Sequence, residues 1–154
     1  MLCWIPTVTL GVKTRGIGMI SSDEFFDSKA LLRGSDIRPT RQRLGLAKLL
    51  FGKKNRHITA EALHKEANDC GLRMALATVY NSLHSFTQAG LLREVVVDAG
   101  CRYFDTNVSH HHHLLREQTG ELVDVDPGKL EVRGLQDLPR GTSVSQIDVV
   151  IRIK

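Results

Sequence analysis

Four helix-patterned segments, each stopped by a glycine and followed by a two-strand pattern, constrain this chain more than any other feature. Residues 23–33 read as a short helix ending at Gly34. Residues 39–51 read as a second, with Pro39 suited to a first helical position, Leu44, Ala47, Leu50 and Phe51 at helical spacing, and Gly52 as the stop. Thr59 can cap a third helix whose inner face is Ala60, Leu63 and Ala67, closed by Asn68 to Gly71. A fourth spans about 75–89, with Leu76, Val79, Leu83 and Phe86 inward and Gly90 as its C-terminal stop. Leu91 to Val97 is then β-rich, Asp98 to Gly100 turns, and Arg102 to Phe104 returns as a hairpin. That order is the order of a winged helix. The short join from Asp69 to Met74 makes the third and fourth helices a helix-turn-helix, the second of which enters a DNA major groove. Its outward face is expected to carry Thr78, Asn81, Ser82 and Ser85 with Tyr80 and His84 alongside, small hydrogen-bonding groups and one aromatic that suit base edges.

Four consecutive histidines, His110 to His113, follow the hairpin inside the chain. Leu114 and Leu115 come directly after, so the run reads as a strand entering a core. A strand alternates its side chains, which sends His110 and His112 to one face and His111 and His113 to the other. Neutral imidazole is the commonest protein ligand to metal, and one segment thus offers two imidazoles to each of two sites. Further on, Glu121 to Asp124 reads as a strand, Pro127 to about Gly134 as a short helix, and Val144 to Ile153 as a last strand. This second block is α+β and too small to be comfortable alone, so its sheet is expected to meet another subunit.

Charge divides the chain at the same place. Residues 1–57 hold eleven Lys/Arg against four Asp/Glu, and the rest ten against thirteen, within a net charge of +4. A basic leading part suits phosphate neutralisation, and a histidine-bearing acidic part suits cations. Three widely spaced cysteines, Cys3, Cys70 and Cys101, form no C-x-x-C. That pattern speaks for a reducing cytoplasm and against a disulfide framework or a thiolate zinc knuckle. No run approaches the roughly 20 apolar residues that span a bilayer. Residues 1–18 read as a variable extension or a misassigned start ahead of Met19, with an export signal the weaker reading. No H-E-x-x-H helix accompanies the histidines, so the chain reads as a non-enzyme, with a metal store or chaperone the class that DNA binding would exclude.

Several stretches carry a resemblance. Leu76 to Tyr80, then Leu83, Phe86 and Ala89 to Leu91, resemble the recognition-helix signature of ferric uptake regulator family repressors. Arg38 to Arg43, Ile58 to Leu63, Tyr103 to Asp105 and the histidine run also match, over about residues 28–154. Arg38 to Arg43, Leu49 to Gly52, Tyr103 to Val108 and Ile147 to Arg152 look most like the iron response regulator subgroup of alphaproteobacteria. The resemblance implies an α+β homodimer on an operator of double-stranded DNA. Residues 1–22 would be a variable extension, 23–106 a winged-helix DNA-binding domain, and 107–154 a small α/β domain for dimerisation and metal or haem sensing. Arg38, Arg41, Arg43, Thr78, Tyr80 and Asn81 would meet the DNA. One metal site is implied at His57, Asp105, His111, His113 and Asp124, and a second metal or haem site at His110, His112, Glu131 and Asp148.

The implied function is an iron-responsive repressor of iron and haem metabolism genes, controlled by haem or by Fe²⁺, Mn²⁺ or Zn²⁺. The alternative is a conventional divalent-metal co-repressor. A haem-delivering enzyme is a further implied partner. Two departures stand out. Arg116 and Thr119 occupy the place of the family's cysteine pair, so no four-cysteine structural zinc site is expected. Cys3 is followed by Trp4, so the Cys-Pro haem motif of some subgroup members is missing and haem would have to use the histidines.

Overall fold

The computed structural model describes residues 26–98, 100–134 and 138–154. In chain order it has helices α1 (Ser28–Gly34) and α2 (Arg41–Phe51), strand β1 (His57–Ile58), helices α3 (Ala60–Asp69) and α4 (Leu76–Gln88), and strands β2 (Arg93–Asp98), β3 (Cys101–Asp105), β4 (His112–Arg116), β5 (Glu121–Val125) and β6 (Val150–Ile153). Short oxygen-bearing side chains start three of the helices by accepting first-turn N–H groups. Asp27 caps α1, Thr40 caps α2 and Thr59 caps α3. Pro39 therefore lies one residue before the cap, not at the first helical position expected for it. Residues 23–25 of the expected first helix, and the expected extension 1–22, lie outside the described residues.

The inner faces of the four helices close over one core. Leu32, Leu46, Leu50, Leu63, Val79, Leu83 and Phe86 are fully buried in it. On α2 the buried face runs through Leu46, Ala47 and Leu50, leaving Leu44 and Phe51 half-buried. Phe51 still packs against Phe86, ring edge to face, with centroids 6.0 Å apart, an arrangement aromatic quadrupoles favour. Gly45 lets α2 approach the turn after α3: a Cβ there would meet Leu72 Cδ1 at 2.5 Å. That turn is closed by Gly71 at φ +77°, by Leu72 N–H donating to the Ala67 carbonyl at 2.8 Å, and by His64 Nε2, 2.8 Å from the Met74 carbonyl. His64 thereby ties α3 to the segment that leads into α4.

Strands β1, β3 and β2 form one antiparallel sheet, in which Asp105 pairs with His57 on one side and Arg93 on the other. A second sheet runs β5-β4-β6, antiparallel between β4 and β5 and parallel between β4 and β6. The hairpin lays Val95, Val97 and Tyr103 against Leu115 and Leu122 of the second sheet, forming a smaller apolar core. Tyr103 also donates its hydroxyl proton to the Gly120 carbonyl at 2.6 Å. Two expectations fail here. The helix expected over 127–134 is a single 3₁₀ turn, Pro127–Lys129, because Gly128 and Gly134 weaken any helix and too few apolar residues supply a face. The last strand covers only Val150–Ile153 of the expected 144–153, the four residues that pair with His113 to Arg116 of β4.

Candidate metal centre

Five side chains converge where the two sheets meet. His57 comes from β1 and Asp105 from the end of β3, one step apart because their backbones are paired. His113 lies on β4 opposite Asp124 on β5. His111 precedes β4, so the run enters the strand at His112, later than expected. The chain is extended enough there to keep the alternation: His111 and His113 rings lie 4.5 Å apart on one side, and His110 and His112 rings 5.3 Å apart as a separate pair. One ligand atom from each of His57, Asp105, His111, His113 and Asp124 lies within 4.8 Å of all the others. These are the five residues that the resemblance assigns to one site. Among the described residues no other group of three or more histidine, cysteine or carboxylate side chains is gathered in this way.

The imidazole–carboxylate contacts within the cluster are close but lack hydrogen-bond geometry. Asp105 Oδ2 has His111 Nε2 at 2.9 Å and His57 and His113 Nε2 at 3.5 Å each. Asp124 Oδ1 lies 2.8 Å from His57 Nε2 and 3.4 Å from His111 Nε2. The His111 and His113 Nε2 atoms are 3.0 Å apart. Yet His57 Nε2 and Asp105 Oδ2 are buried with no hydrogen-bond partner of acceptable geometry. Orphaned buried polar atoms are costly, and here they point at a common centre. Burial pushes the Asp105 carboxyl up, but the His113 and His57 imidazoles and the Asn107 backbone N–H outweigh it and hold it well below the usual carboxylate range. Asp105 is therefore an anion inside the protein. His111 Nδ1 sits 2.8 Å from the Ser109 carbonyl. A proton donated there turns the Nε2 lone pair toward the cluster, the arrangement that orients metal-bound imidazoles. Three imidazoles and two carboxylates without thiolate fit Fe²⁺, Mn²⁺ or Zn²⁺.

The helical face differs in part from the expectation. On α4, Tyr80, Asn81 and His84 are exposed and Thr78 half-buried, whereas Ser82 is 3% exposed and turns its hydroxyl to the Thr78 carbonyl at 2.8 Å. Ser82 follows the buried stripe of Val79, Leu83 and Phe86, and a small hydroxyl can be taken inside when its own helix satisfies it. Tyr80 donates to Glu61 at 2.6 Å. Arg38 and Arg41 are exposed. Arg43 is half-buried and donates to the Arg38 carbonyl and to Ser85 Oγ, 3.2 Å each, so it ties α2 to α4.

The family model described as "Ferric uptake regulator family" matches residues 34–152. The chain belongs to the ferric uptake regulator family. Its members are metal-dependent, DNA-binding transcription regulators, not enzymes. The ferric uptake regulation protein of Shigella flexneri is 32% identical over 108 residues, covering 70% of this chain and 73% of the relative. That of Vibrio cholerae is 32% identical over 108 residues, with 70% and 72% covered. Among solved structures, the ferric uptake regulator from Pseudomonas aeruginosa with manganese is 26% identical at a TM-score of 0.64, covering 84% of this chain and 98% of that one. The Vibrio cholerae ferric uptake regulator matches in fold, at a TM-score of 0.66 and 24% identity over 83% of this chain and 99% of that one.

Of the second implied site, His110 and His112 pair with each other, but Glu131 and Asp148 are engaged by arginines, and among the described residues the four are not gathered into one group. Glu131 follows the 3₁₀ turn and pairs with Arg133 at 2.7 Å. Asp148 precedes β6, pairs with Arg93 and accepts from Gln146 Nε2. Arg93 also reaches the Ser109 and His111 carbonyls at 3.4 Å. Burial first, then the charges of His110 and Arg93, lower the His112 pKa. Arg116 pairs with Glu121 and Thr119 accepts from the Glu121 N–H, so the residues at the family's cysteine positions serve the β4–β5 turn. Sequence reasoning missed Asn107, Ser109 and Arg93. The only local signal for Asn107 was its place in an Asp-x-Asn turn.

Proposed function

We propose that this chain represses transcription from a DNA operator as a homodimer, and that a divalent cation at His57, Asp105, His111, His113 and Asp124 controls it. One observation carries this reading: two donors come from the sheet of the winged helix, two from the second sheet and one, His111, from the segment that enters it, all within 4.8 Å of one another. Without a cation the cluster holds two carboxylates and crowded imidazoles with orphaned atoms. With one, the five donors would have a common partner, and the angle between hairpin and second sheet would be held. Two half-sites require a fixed spacing of recognition helices, so a cation that binds one arrangement better shifts DNA affinity. Arg38, Arg41, Thr78, Tyr80 and Asn81 face the DNA, and Arg43 orients α4.

A second reading, haem control of iron and haem metabolism genes as in the iron response regulator subgroup, is favoured by the His110 and His112 pair, separate from the cluster and with His110 exposed. It would include a cytoplasmic haem-delivering partner. Operator binding by the purified chain, measured with no added metal, with Mn²⁺ or Fe²⁺, and with haem, tests both. Affinity that rises with the cation and is lost with His111→Ala and His113→Ala together supports cation control. Affinity that responds only to haem and is lost with His110→Ala and His112→Ala supports the second reading. Affinity that responds to neither refutes both.

A further inference from the structure

Asn107 belongs to no helix or strand, yet it touches both carboxylates of the cluster. Its backbone N–H donates to Asp105 Oδ1 at 2.8 Å, and its side-chain Nδ2 donates to Asp124 Oδ2 at 2.8 Å. Its Oδ1 accepts from the Ser109 N–H at 3.2 Å and from Ser109 Oγ at 2.6 Å. The amide orientation follows from these partners: an N–H can only donate and a carboxylate only accepts, so Oδ1 must face Ser109 and Nδ2 must face Asp124. The chain of contacts continues, since the Ser109 carbonyl is the partner of His111 Nδ1 at 2.8 Å. One residue thereby reaches three of the five donors.

The pattern is selective about oxygens. The atoms Asn107 occupies are Oδ1 of Asp105 and Oδ2 of Asp124. The atoms left over, Oδ2 of Asp105 and Oδ1 of Asp124, are the ones that face the imidazoles. Each carboxylate is thus presented by one oxygen. Asp124 depends on this most, because its side chain is 37% exposed whereas that of Asp105 is fully buried. Among the described residues, its Oδ2 has the Asn107 amide as its hydrogen-bond donor.

Resting on the reading of the cluster as a metal centre, we propose that Asn107 is a positioning residue that sets which cation is preferred, by holding Asp124 to a single free oxygen. With one oxygen from each carboxylate the site offers three nitrogens and two oxygens. If Asp124 is released it can turn both oxygens inward and add a sixth donor. Mn²⁺ stands at the weak end of the divalent series for nitrogen ligands and suits carboxylate oxygen. An added oxygen therefore helps Mn²⁺ more than it helps Co²⁺, a spectroscopically visible ion that takes the same donors.

The test is titration of the full-length chain with Co²⁺ and with Mn²⁺ in competition, comparing wild type with Asn107→Ala and Asn107→Asp. Alanine removes the amide altogether. Aspartate keeps the size and the Ser109 contacts while losing the donor to Asp124, so it serves should alanine fold poorly. In both variants the Co²⁺-over-Mn²⁺ preference falls about tenfold, within the range known for residues that orient ligands. The visible absorption of bound Co²⁺ also weakens toward that of a six-coordinate ion. Affinities that fall equally for both ions, with an unchanged Co²⁺ spectrum, reduce Asn107 to a structural residue and overturn the proposal. So does a variant indistinguishable from wild type. A wild-type chain that binds neither ion takes down the metal centre itself and the proposal with it, an outcome the variants are not needed to recognise.

Discussion

Replacing His111 and His113 together is the sharpest test of the cluster, because it removes two of its three imidazoles and touches only one side of the histidine run. A cation present at one hundred times its dissociation constant stabilises the folded chain by about 2.7 kcal/mol. For a chain of this size that raises Tm by about 5–11 °C. Loss of two donors weakens binding by at least the hundredfold that loss of a mere orienting residue can cost. At the same cation concentration about 0.4 kcal/mol then remains, and the shift shrinks to about 1–2 °C. The variant also leaves Asp105 buried with fewer imidazoles beside it, which lowers the metal-free Tm. The informative quantity is therefore the difference between scans with and without Mn²⁺ or Zn²⁺, from which that cost cancels. His110→Ala with His112→Ala, whose rings form a separate pair, keeps the full shift. His57→Ala, which removes the one imidazole donor on the winged-helix side, reduces it. Differential scanning calorimetry with isothermal titration reads all three variants. Equal, partial losses in both double variants would mean a loose histidine patch, and the bridge between the two sheets would not exist.

Three further outcomes are expected. Arg41→Ala lowers the salt dependence of operator binding by about one phosphate with Tm unchanged, whereas Arg43→Ala, which cuts the tie to Ser85, also costs about 1 kcal/mol of stability; a native Tm for Arg43→Ala would refute the tie. Phe86→Ala empties a fully buried position against Phe51 and costs about 3–5 kcal/mol in urea denaturation; a loss below about 1 kcal/mol would misplace the core. The Arg56 guanidinium, donating to both oxygens of Glu66 at 3.2 and 2.8 Å, holds that carboxyl below its ordinary range. Its stabilisation is fully present above the unfolded glutamate pKa of about 4.3 and is lost as pH falls below it. Glu66→Gln costs up to about 1 kcal/mol at neutral pH and removes that acid-side slope; a wild-type slope in the variant would refute the assignment.

The local features were legible in the residues because they depend on near neighbours. Helical spacing of Leu63, Val79, Leu83 and Phe86 located the buried faces, Thr59 announced its helix, and glycines after each helix marked its end. The alternation of His110 to His113 separated two imidazole pairs even though the strand begins only at His112, since an extended chain alternates whether or not it is paired. The gathering of His57 with Asp105 and Asp124 was available through family resemblance and not through spacing.

Tertiary contact decided the rest. Ser82 looks like a surface residue by type, but the stripe it joins carries it inward. Pro127 to Gly134 offers a proline suited to a helix start, but with two glycines and no buried face to hold it only one 3₁₀ turn forms. Asp148 lies 55 residues from Arg93, and nothing near either residue announces their pairing. The two carboxylates that Asn107 touches are Asp105, two residues away, and Asp124, seventeen away. Only the antiparallel register of β4 and β5 brings the second within reach. Short-range periodicity says which face of an element is apolar. Which polar atoms meet across that face depends on strand register and on the packing of one sheet against the other, and those are settled only when the whole chain closes.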